Sequence, residues 1–209
     1  SGPGDVVFTG GGTEADNLAV LGASGGGTVV VSAVEHPAVR DPAVGLGAPV
    51  APVDSTGQID LDALATLLDD LDDVALVSVM LVNNEVGAIQ PLDAVAEVVR
   101  RHAPGAVLHT DAVQALSWVD VAEAAAAADL ISVSAHKFGG PKGVGALVVR
   151  PGVALAARQI GGGQERDRRS GTQNVAGIAA MATAARLTAD RRVEDVARIA
   201  TLRDRLADG

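Results

Sequence analysis

The amino-acid sequence predicts an α/β fold of three layers, in which helices cover both faces of a mainly parallel β-sheet. Short apolar runs alternate along the 209 residues with segments that carry apolar side chains at helical spacing, and this alternation is typical of parallel sheets. Hydrophobic residues make up 48% of the chain but aromatic residues only 1%. The predicted core is therefore aliphatic, as in strands that are buried on both faces.

Six apolar runs predict the strands, because each is short and rich in β-branched or aliphatic residues. They lie at residues 6–8, 28–31, 74–82, 107–109, 130–133 and 145–149. Helices are predicted between or after these runs, with Asp60 as an N-cap and Pro91 as a first helical residue. The predicted helices span residues 13–21, 61–71, 91–99, 175–187 and 193–206.

The chain is acidic, with 26 Asp and Glu against 16 Lys and Arg and a net charge of −10. This charge disfavours nucleic acid and anionic membranes, because both attract clustered cations. No apolar run approaches the roughly 18 residues of a membrane span, and no secretory leader is visible, so we expect a cytoplasmic protein. Cysteine is absent, which excludes disulfides, thiolate metal sites and a cysteine nucleophile within these residues. No metal site is expected.

Polar side chains follow five of the predicted strands, and ligands bind at the carboxyl ends of parallel strands. Lys137 follows a predicted strand. At a buried strand end a lysine amine would be desolvated, which lowers its pKa and makes it a competent Schiff-base former. Lys142 is the only other lysine, and its place within Gly-Pro-Lys-Gly suits a surface charge. The candidate site residues at the strand ends are Gly12, Thr13, His36, Asn84, Asp111, Gln114, Ser134, His136 and Lys137.

Each of these groups also has a simpler interpretation when it is taken alone. Asp111 would cap the next helix and Thr13 would be a helix N-cap. His36 would be a packed or surface imidazole, Asn84 part of a tight turn and Lys137 a solvated charge. Together, however, one lysine amine, one acid for a cationic ring nitrogen, a glutamine, a histidine and several phosphate donors match what pyridoxal phosphate (PLP) requires.

The motifs at these strand ends resemble those of the cysteine desulfurases, which belong to the class V aminotransferase group of fold-type-I PLP enzymes. Their order and spacing agree along nearly all 209 residues. The matching segments are Phe-Thr-Gly-Gly-Gly-Thr-Glu (8–14), Glu-His-Pro-Ala-Val (35–39), Val-Asn-Asn-Glu-Val-Gly (82–87), His-Thr-Asp-Ala-Val-Gln (109–114), Ser-Ala-His-Lys-Phe-Gly-Gly-Pro-Lys-Gly (134–143) and Gly-Gly-Gly-Gln-Glu-Arg to Arg-Ser-Gly-Thr (161–172).

The resemblance implies a role for each residue around the reacting end of PLP. Lys137 would hold the cofactor as a Schiff base and would serve as the base for the substrate Cα proton. Asp111 would pair with the protonated ring nitrogen, and Gln114 would bond to the ring hydroxyl oxygen. His36 would stack on the ring and help to move protons, and Asn84 would contact the substrate carboxylate.

The resemblance also implies a phosphate site and a homodimer. Gly12, Thr13, Ser134 and His136 would hold the phosphate. Thr172 would reach the same phosphate from the partner subunit. The loop at residues 161–172 that carries Thr172, taken alone, would be a solvated glycine-rich loop.

The activity implied by the resemblance is conversion of L-cysteine to L-alanine, with the sulfur left on the enzyme as a persulfide for Fe–S cluster or thiolation pathways. An Fe–S scaffold or another sulfur acceptor would be the protein partner. Residues 1–187 would form the large PLP-binding domain without its N-terminal part, and residues 188–209 a helix connecting to a small C-terminal domain. The thiol loop and a carboxylate-binding arginine would lie beyond this chain. The alternatives are another class V enzyme, such as a selenocysteine lyase or an aminotransferase, and a non-catalytic PLP-fold module.

Overall fold

The computed structural model describes residues 4–209, and these form a seven-stranded sheet with helices on both faces. The strands are β1 Asp5–Thr9, β2 Thr28–Ser32, β3 Val50–Ala51, β4 Val74–Ser78, β5 Val107–Asp111, β6 Leu130–Ser134 and β7 Gly145–Val149. Their order in the sheet is β1-β7-β6-β5-β4-β2-β3. β7 is antiparallel to β1 and β6, whereas the pairs from β6 to β3 are parallel. The predicted three-layer, mainly parallel fold is confirmed.

The helices connect the parallel strands. They are α1 Gly12–Ala23, α2 Pro37–Gly45, α3 Leu61–Asp69, α4 Leu92–His102, α5 Val121–Ala124 and α6 Val175–Ala207, with short 3-10 turns at Ala135–Lys137 and Glu165–Asp167. Asp60 is the N-cap of α3, as predicted, because its side chain accepts a hydrogen bond from the Ala63 amide at 3.0 Å. Pro91 lies one residue outside α4, because its backbone angles are not helical.

Two aliphatic cores lie on opposite faces of the sheet. Val30, Val77 and Leu108 belong to the core beneath α3 and α4, whereas Val29 and Leu76 belong to the core beneath α1 and α2. Successive side chains of a strand point to opposite faces, so a strand covered on both sides needs apolar residues at every position. This is why the strands are visible in the sequence as continuous apolar runs.

Two predicted elements differ from the structure. The run at 74–82 is a strand only to Ser78, although Val79 and Leu81 continue to donate amide hydrogen bonds to the carbonyls of His109 and Asp111 at 3.0 and 2.9 Å. The two helices predicted at 175–187 and 193–206 are one continuous helix, α6. The residues between them are Thr-Ala-Asp-Arg-Arg, which contain no Gly or Pro to interrupt helical hydrogen bonding. The predicted connecting helix at 188–209 stays a prediction.

None of the helices within residues 4–209 combines the length and the hydrophobicity needed to cross a bilayer.

Gly145 lies where β7 meets the glycine turn that precedes α1. A Cβ atom on this residue would lie 2.6 Å from the Gly11 carbonyl carbon and 2.7 Å from the Val133 carbonyl oxygen. Both neighbours are backbone atoms and cannot rotate away, so we expect Gly145→Ala to lower the free energy of unfolding by roughly 1–3 kcal/mol, as overpacking does. Urea denaturation would measure the change.

Gly105→Ala is the matched control, because Gly105 is exposed and a Cβ there would meet nothing within 4 Å. That variant should stay within about 0.5 kcal/mol of the wild type. Equal stability of the two glycine variants would contradict a close backbone contact at Gly145.

Candidate functional site

A cavity of about 160 Å³ lies at the carboxyl ends of the parallel strands, beside the N-terminus of α1. Eight of the ten predicted site residues line it, although they come from four separate segments of the chain. These eight are Gly12, Thr13, His36, Asp111, Gln114, Ser134, His136 and Lys137. The topology of the sheet brings them together, because all of them follow strands that end at the same edge.

Lys137 ends the 3-10 turn that follows β6, and the buried Ala135 at the start of this turn fixes its direction. The Phe138 and Gly140 amides both donate to the Ala135 carbonyl, at 3.1 and 2.8 Å. Lys137 lines the cavity, but the residue as a whole is exposed. The expectation of a desolvated amine is therefore wrong, because the residue that carries it is exposed.

Lys142 does not line this cavity. It lies in a neighbouring open groove with Glu14 and Asn17. Since the sequence contains only two lysines and the structure describes both, Lys137 is the lysine whose amine belongs to the strand-end cavity.

Asp111 is the last residue of β5, and its side chain is only 2% exposed. One carboxylate oxygen accepts a hydrogen bond from the Val113 amide at 2.8 Å. Burial raises the pKa of Asp111, while the Val113 amide and the nearby basic groups of His36 and Lys137 oppose that shift. The residue after it does not begin a helix, so Asp111 closes a turn and keeps the rest of its carboxylate for a cationic partner.

His36 is the N-cap of α2, a role that the sequence prediction missed although the following Pro37 is a typical helix start. Its Nδ1 atom accepts a hydrogen bond from the Ala38 amide at 3.1 Å. A ring nitrogen that accepts from an amide carries no proton, so Nε2 is the nitrogen that bears the ring proton. The cap thus fixes the orientation of an imidazole that lines the cavity.

The N-terminus of α1 provides a place for an anion. Gly11 is its N-cap and makes no side-chain cap, so Thr13 is not the N-cap that the simpler interpretation expected. The first amides of a helix have no intrahelical partner and attract anions. A Cβ on Gly12 would lie 2.8 Å from Val113 Cγ2 and 3.2 Å from Ser134 Cβ, so only glycine allows this close approach. Next to Gly12, Ser134 Oγ lies 3.0 Å from His136 Nδ1.

Asn84 and Thr172 do not line the cavity. Asn84 lies in an adjacent groove that also contains Gln114 and Trp118, so Gln114 is shared between the two spaces. Thr172 is exposed and belongs to the loop after β7. Ion pairs hold this loop against the same chain, including Arg169 with Glu14 at 2.7 Å. The proposed contacts of Asn84 and Thr172 stay predictions.

Asp16 is a cavity residue that the sequence prediction missed. It lies inside α1 and is 1% exposed. The signal was present in the sequence, because Asp16 is one turn after Gly12 and Thr13 and therefore lies on the same side of the helix. An acid between Ala15 and Leu18 on the buried side is unusual.

The structure of the chain resembles solved structures of NifS-like proteins. One of them has a TM-score of 0.90 at 36% sequence identity, with 98% of this chain and 58% of that chain covered. A NifS-like protein from Rickettsia africae has a TM-score of 0.90 at 31% identity, with 98% and 56% covered. The fold is that of fold-type-I PLP enzymes.

The sequence comparisons give the family. The family model described as aminotransferase class-V matches residues 2–208, and the chain belongs to this family. A cysteine desulfurase from Sinorhizobium fredii is 44% identical over 215 residues, which are 98% of this chain and 54% of that protein. An IscS-like cysteine desulfurase from Mycobacterium tuberculosis is 44% identical over 221 residues, which are 99% and 56%. The chain spans about half the length of the curated relatives it matches.

Proposed function

We propose that this chain is the PLP-binding core of a cysteine desulfurase that converts L-cysteine to L-alanine and leaves the sulfur as a protein-bound persulfide. The observation that carries the proposal is that one cavity contains the Lys137 amine, the buried Asp111 carboxylate and the open N-terminus of α1. The matched relatives are named as cysteine desulfurases, which supports L-cysteine as the substrate.

The residues of the cavity fit PLP by their chemistry. Asp111 is a buried carboxylate with one hydrogen-bond donor, the Val113 amide, and its remaining acceptor capacity suits a protonated ring nitrogen. The α1 amides at Gly12 and Thr13 suit the phosphate, together with Ser134 and His136. Val113 and Ser134 pack closely against Gly12, and all three line the cavity at the start of α1. Gln114 is the amide side chain available to the ring oxygen.

The chain's own groups then hold and move protons. Lys137 would hold PLP through its Nζ atom, and the same amine, when free, would be the base for the proton of the substrate Cα. His36 carries a proton at Nε2, which makes it the second proton carrier in the cavity. When bound, PLP supplies an electron sink for the bond that Cα breaks. Asp111 would maintain a proton on the ring nitrogen by its negative charge.

The sulfur step needs a thiol, and this sequence contains no cysteine. We therefore propose that the accepting thiol and the arginine for the substrate carboxylate lie outside residues 1–209, in a longer protein. In that protein, residues 1–187 would be the large domain and 188–209 the connecting helix. The accepting thiol must be free and not part of a disulfide, and thiols stay reduced in the cytoplasm. We therefore propose that the reaction takes place there, with an Fe–S scaffold or another sulfur acceptor as the partner.

We also propose that the protein is a homodimer in which Thr172 contacts the partner's phosphate site. The loop that carries Thr172 is exposed and lies outside its own cavity. Asn84, in the groove next to Gln114, is proposed to contact the substrate carboxylate.

The test uses the protein encoded by the complete gene, purified with PLP and mixed with L-cysteine and a thiol reductant. We expect a visible absorption band of lysine-bound PLP, together with equal amounts of L-alanine and sulfide. A protein that releases alanine from L-selenocysteine but not from L-cysteine would be a lyase, contrary to the proposal. A band without turnover of any amino acid would indicate a non-catalytic PLP module.

A further inference from the structure

Three buried carboxyl groups lie near one another at the candidate site: Asp111 and Asp16 line its cavity, and Glu35 precedes the lining residue His36. Asp111 ends β5, Asp16 comes from α1, and Glu35 comes from the turn between β2 and α2. Their exposed fractions are 2%, 1% and 7%. They are close enough for the negative charge of Asp111 to act on both Asp16 and Glu35. Three charges in one buried cluster would repel one another strongly, because water is not there to screen them.

Asp16 has no cationic partner in the described part of the chain. Its Oδ1 atom is buried and makes no hydrogen bond there. The nearest basic side chain is His109, whose Nε2 atom lies 3.8 Å away. Burial lowers the pKa of His109 to about 3, so its ring is neutral. The two ring nitrogens contact the hydroxyls of Ser78 and Ser132 at 2.9 and 3.0 Å, which leaves no positive charge for Asp16.

Glu35 joins two strand ends. Its Oε1 atom accepts hydrogen bonds from the Ser32 hydroxyl and from the Met80 amide, both at 2.6 Å. Its Oε2 atom is buried and has no partner among residues 4–209. The next residue is His36, and both His36 and Met80 line the cavity. Glu35 therefore connects the segment that carries the imidazole to the end of β4.

Asp111 differs from the other two carboxyls in its surroundings. Asp111 and Glu35 each accept an amide hydrogen bond, from Val113 and Met80 respectively, so the difference lies in the nearby cations. Asp111 alone has the basic groups of His36 and Lys137 near enough to favour its charged form. Without a nearby cation, burial favours the neutral acid of a carboxyl group.

We propose that Asp16, together with Glu35 on the acid side of neutral pH, is a positioning residue that acts as a neutral carboxylic acid, so that Asp111 is the carboxylate whose charge faces the bound cofactor. The proposal rests on the proposed function for the identity of that cofactor, but the protonation states concern this chain alone. One negative charge, that of Asp111, matches one cationic ring nitrogen. Three charged carboxylates would attract other cations and would repel the cofactor phosphate.

The pKa shifts agree in direction with this geometry. Burial raises the pKa of Glu35 from 4.5 to about 7. Burial, and then the charge of Asp111, raise the pKa of Asp16 well above its ordinary value. A carboxyl whose pKa is raised by folding stabilises the folded state, and this contribution to stability is complete at pH values below the pKa of the unfolded chain. The contribution is lost as the pH rises to the pKa of the folded state, which for Glu35 means between about pH 4.5 and 7.

The first experiment detects the neutral acids directly by infrared spectroscopy. At about pH 6, below the folded pKa of Glu35, the full-length protein without PLP should show the carbonyl stretch of protonated carboxylic acid. Asp16→Asn and Glu35→Gln should each remove part of this band, since amides absorb elsewhere. Asp62→Asn, which changes an exposed acid on α3, should leave it intact. A wild-type spectrum without the band overturns the proposal, and this result needs no variant to fold.

The second experiment measures how the unfolding equilibrium constant depends on pH. Raising the pH from about 5 to 8 should increase this constant for the wild type by roughly a hundredfold more than for Glu35→Gln, because the glutamine cannot lose a proton. A purely structural role for Glu35 would change stability equally at every pH. Parallel pH profiles of the wild type and Glu35→Gln would therefore overturn the proposal for this residue.

The third experiment uses the PLP-loaded protein. Asp16→Asn should keep the absorption band of lysine-bound PLP and the pH at which that band titrates, because a neutral group replaces a neutral group. A shift of that midpoint would show that Asp16 is charged and would overturn its assignment. Absence of the band in the wild type would instead contradict the proposed function, and the two failures are thus distinguishable.

Discussion

Lys137→Ala is expected to abolish the visible absorption band of lysine-bound PLP in the full-length protein and to lower turnover of L-cysteine by roughly 10²–10⁴-fold through loss of proton transfer alone. The reason is that the Lys137 amine is the only lysine amine that lines the strand-end cavity in the described structure. Absorption spectroscopy and an alanine assay would measure the two effects.

Lys142→Ala is the matched control, because this second lysine lies five residues away in a neighbouring groove. It should keep the band and the turnover. The residue at position 137 is exposed, so its replacement by alanine should change the free energy of unfolding by no more than about 0.5 kcal/mol. Loss of the band in Lys142→Ala, with the band retained in Lys137→Ala, would show that the cofactor is anchored elsewhere.

Asp111→Asn is expected to leave PLP bound through Lys137 but to lower kcat by roughly 10²–10³-fold, the usual effect of removing one preorganised electrostatic contact from a site. Asparagine has nearly the same shape and can still accept the Val113 amide hydrogen bond. What it lacks is the negative charge that maintains a proton on the ring nitrogen. Measurement of kcat beside the absorption spectrum would separate loss of chemistry from loss of cofactor.

Asp129→Asn provides the control for this change. Asp129 also accepts a backbone hydrogen bond, from the Leu108 amide at 2.9 Å, but it lies at the other end of the sheet, just before β6. Its replacement should not alter kcat. If Asp111→Asn and Asp129→Asn were equally active, the charge of Asp111 would have no part in the reaction.

Local sequence signals were sufficient for the longer elements of the fold. The strands at 28–31, 130–133 and 145–149 lie within β2, β6 and β7 to within one residue at either end, because both faces of each strand are buried. The short β3 was missed because Val50–Ala51 is too brief to show a pattern. Helix α2 was missed because Pro42 lies inside it, and proline is a sign against a helix interior.

The sequence alone determined the fold class and the residues that follow the strands, Lys137 and Asp111 among them. This was possible because burial on both sides of a sheet requires apolar runs, and because parallel strands end at one edge. The tertiary structure decided which of these groups share a cavity, and it placed Asn84 and Thr172 outside it. It also decided that Asp16 and Glu35 are buried. The burial and the charge of these two carboxyl groups depend on residues that are distant in the sequence, so a local sequence pattern cannot predict them.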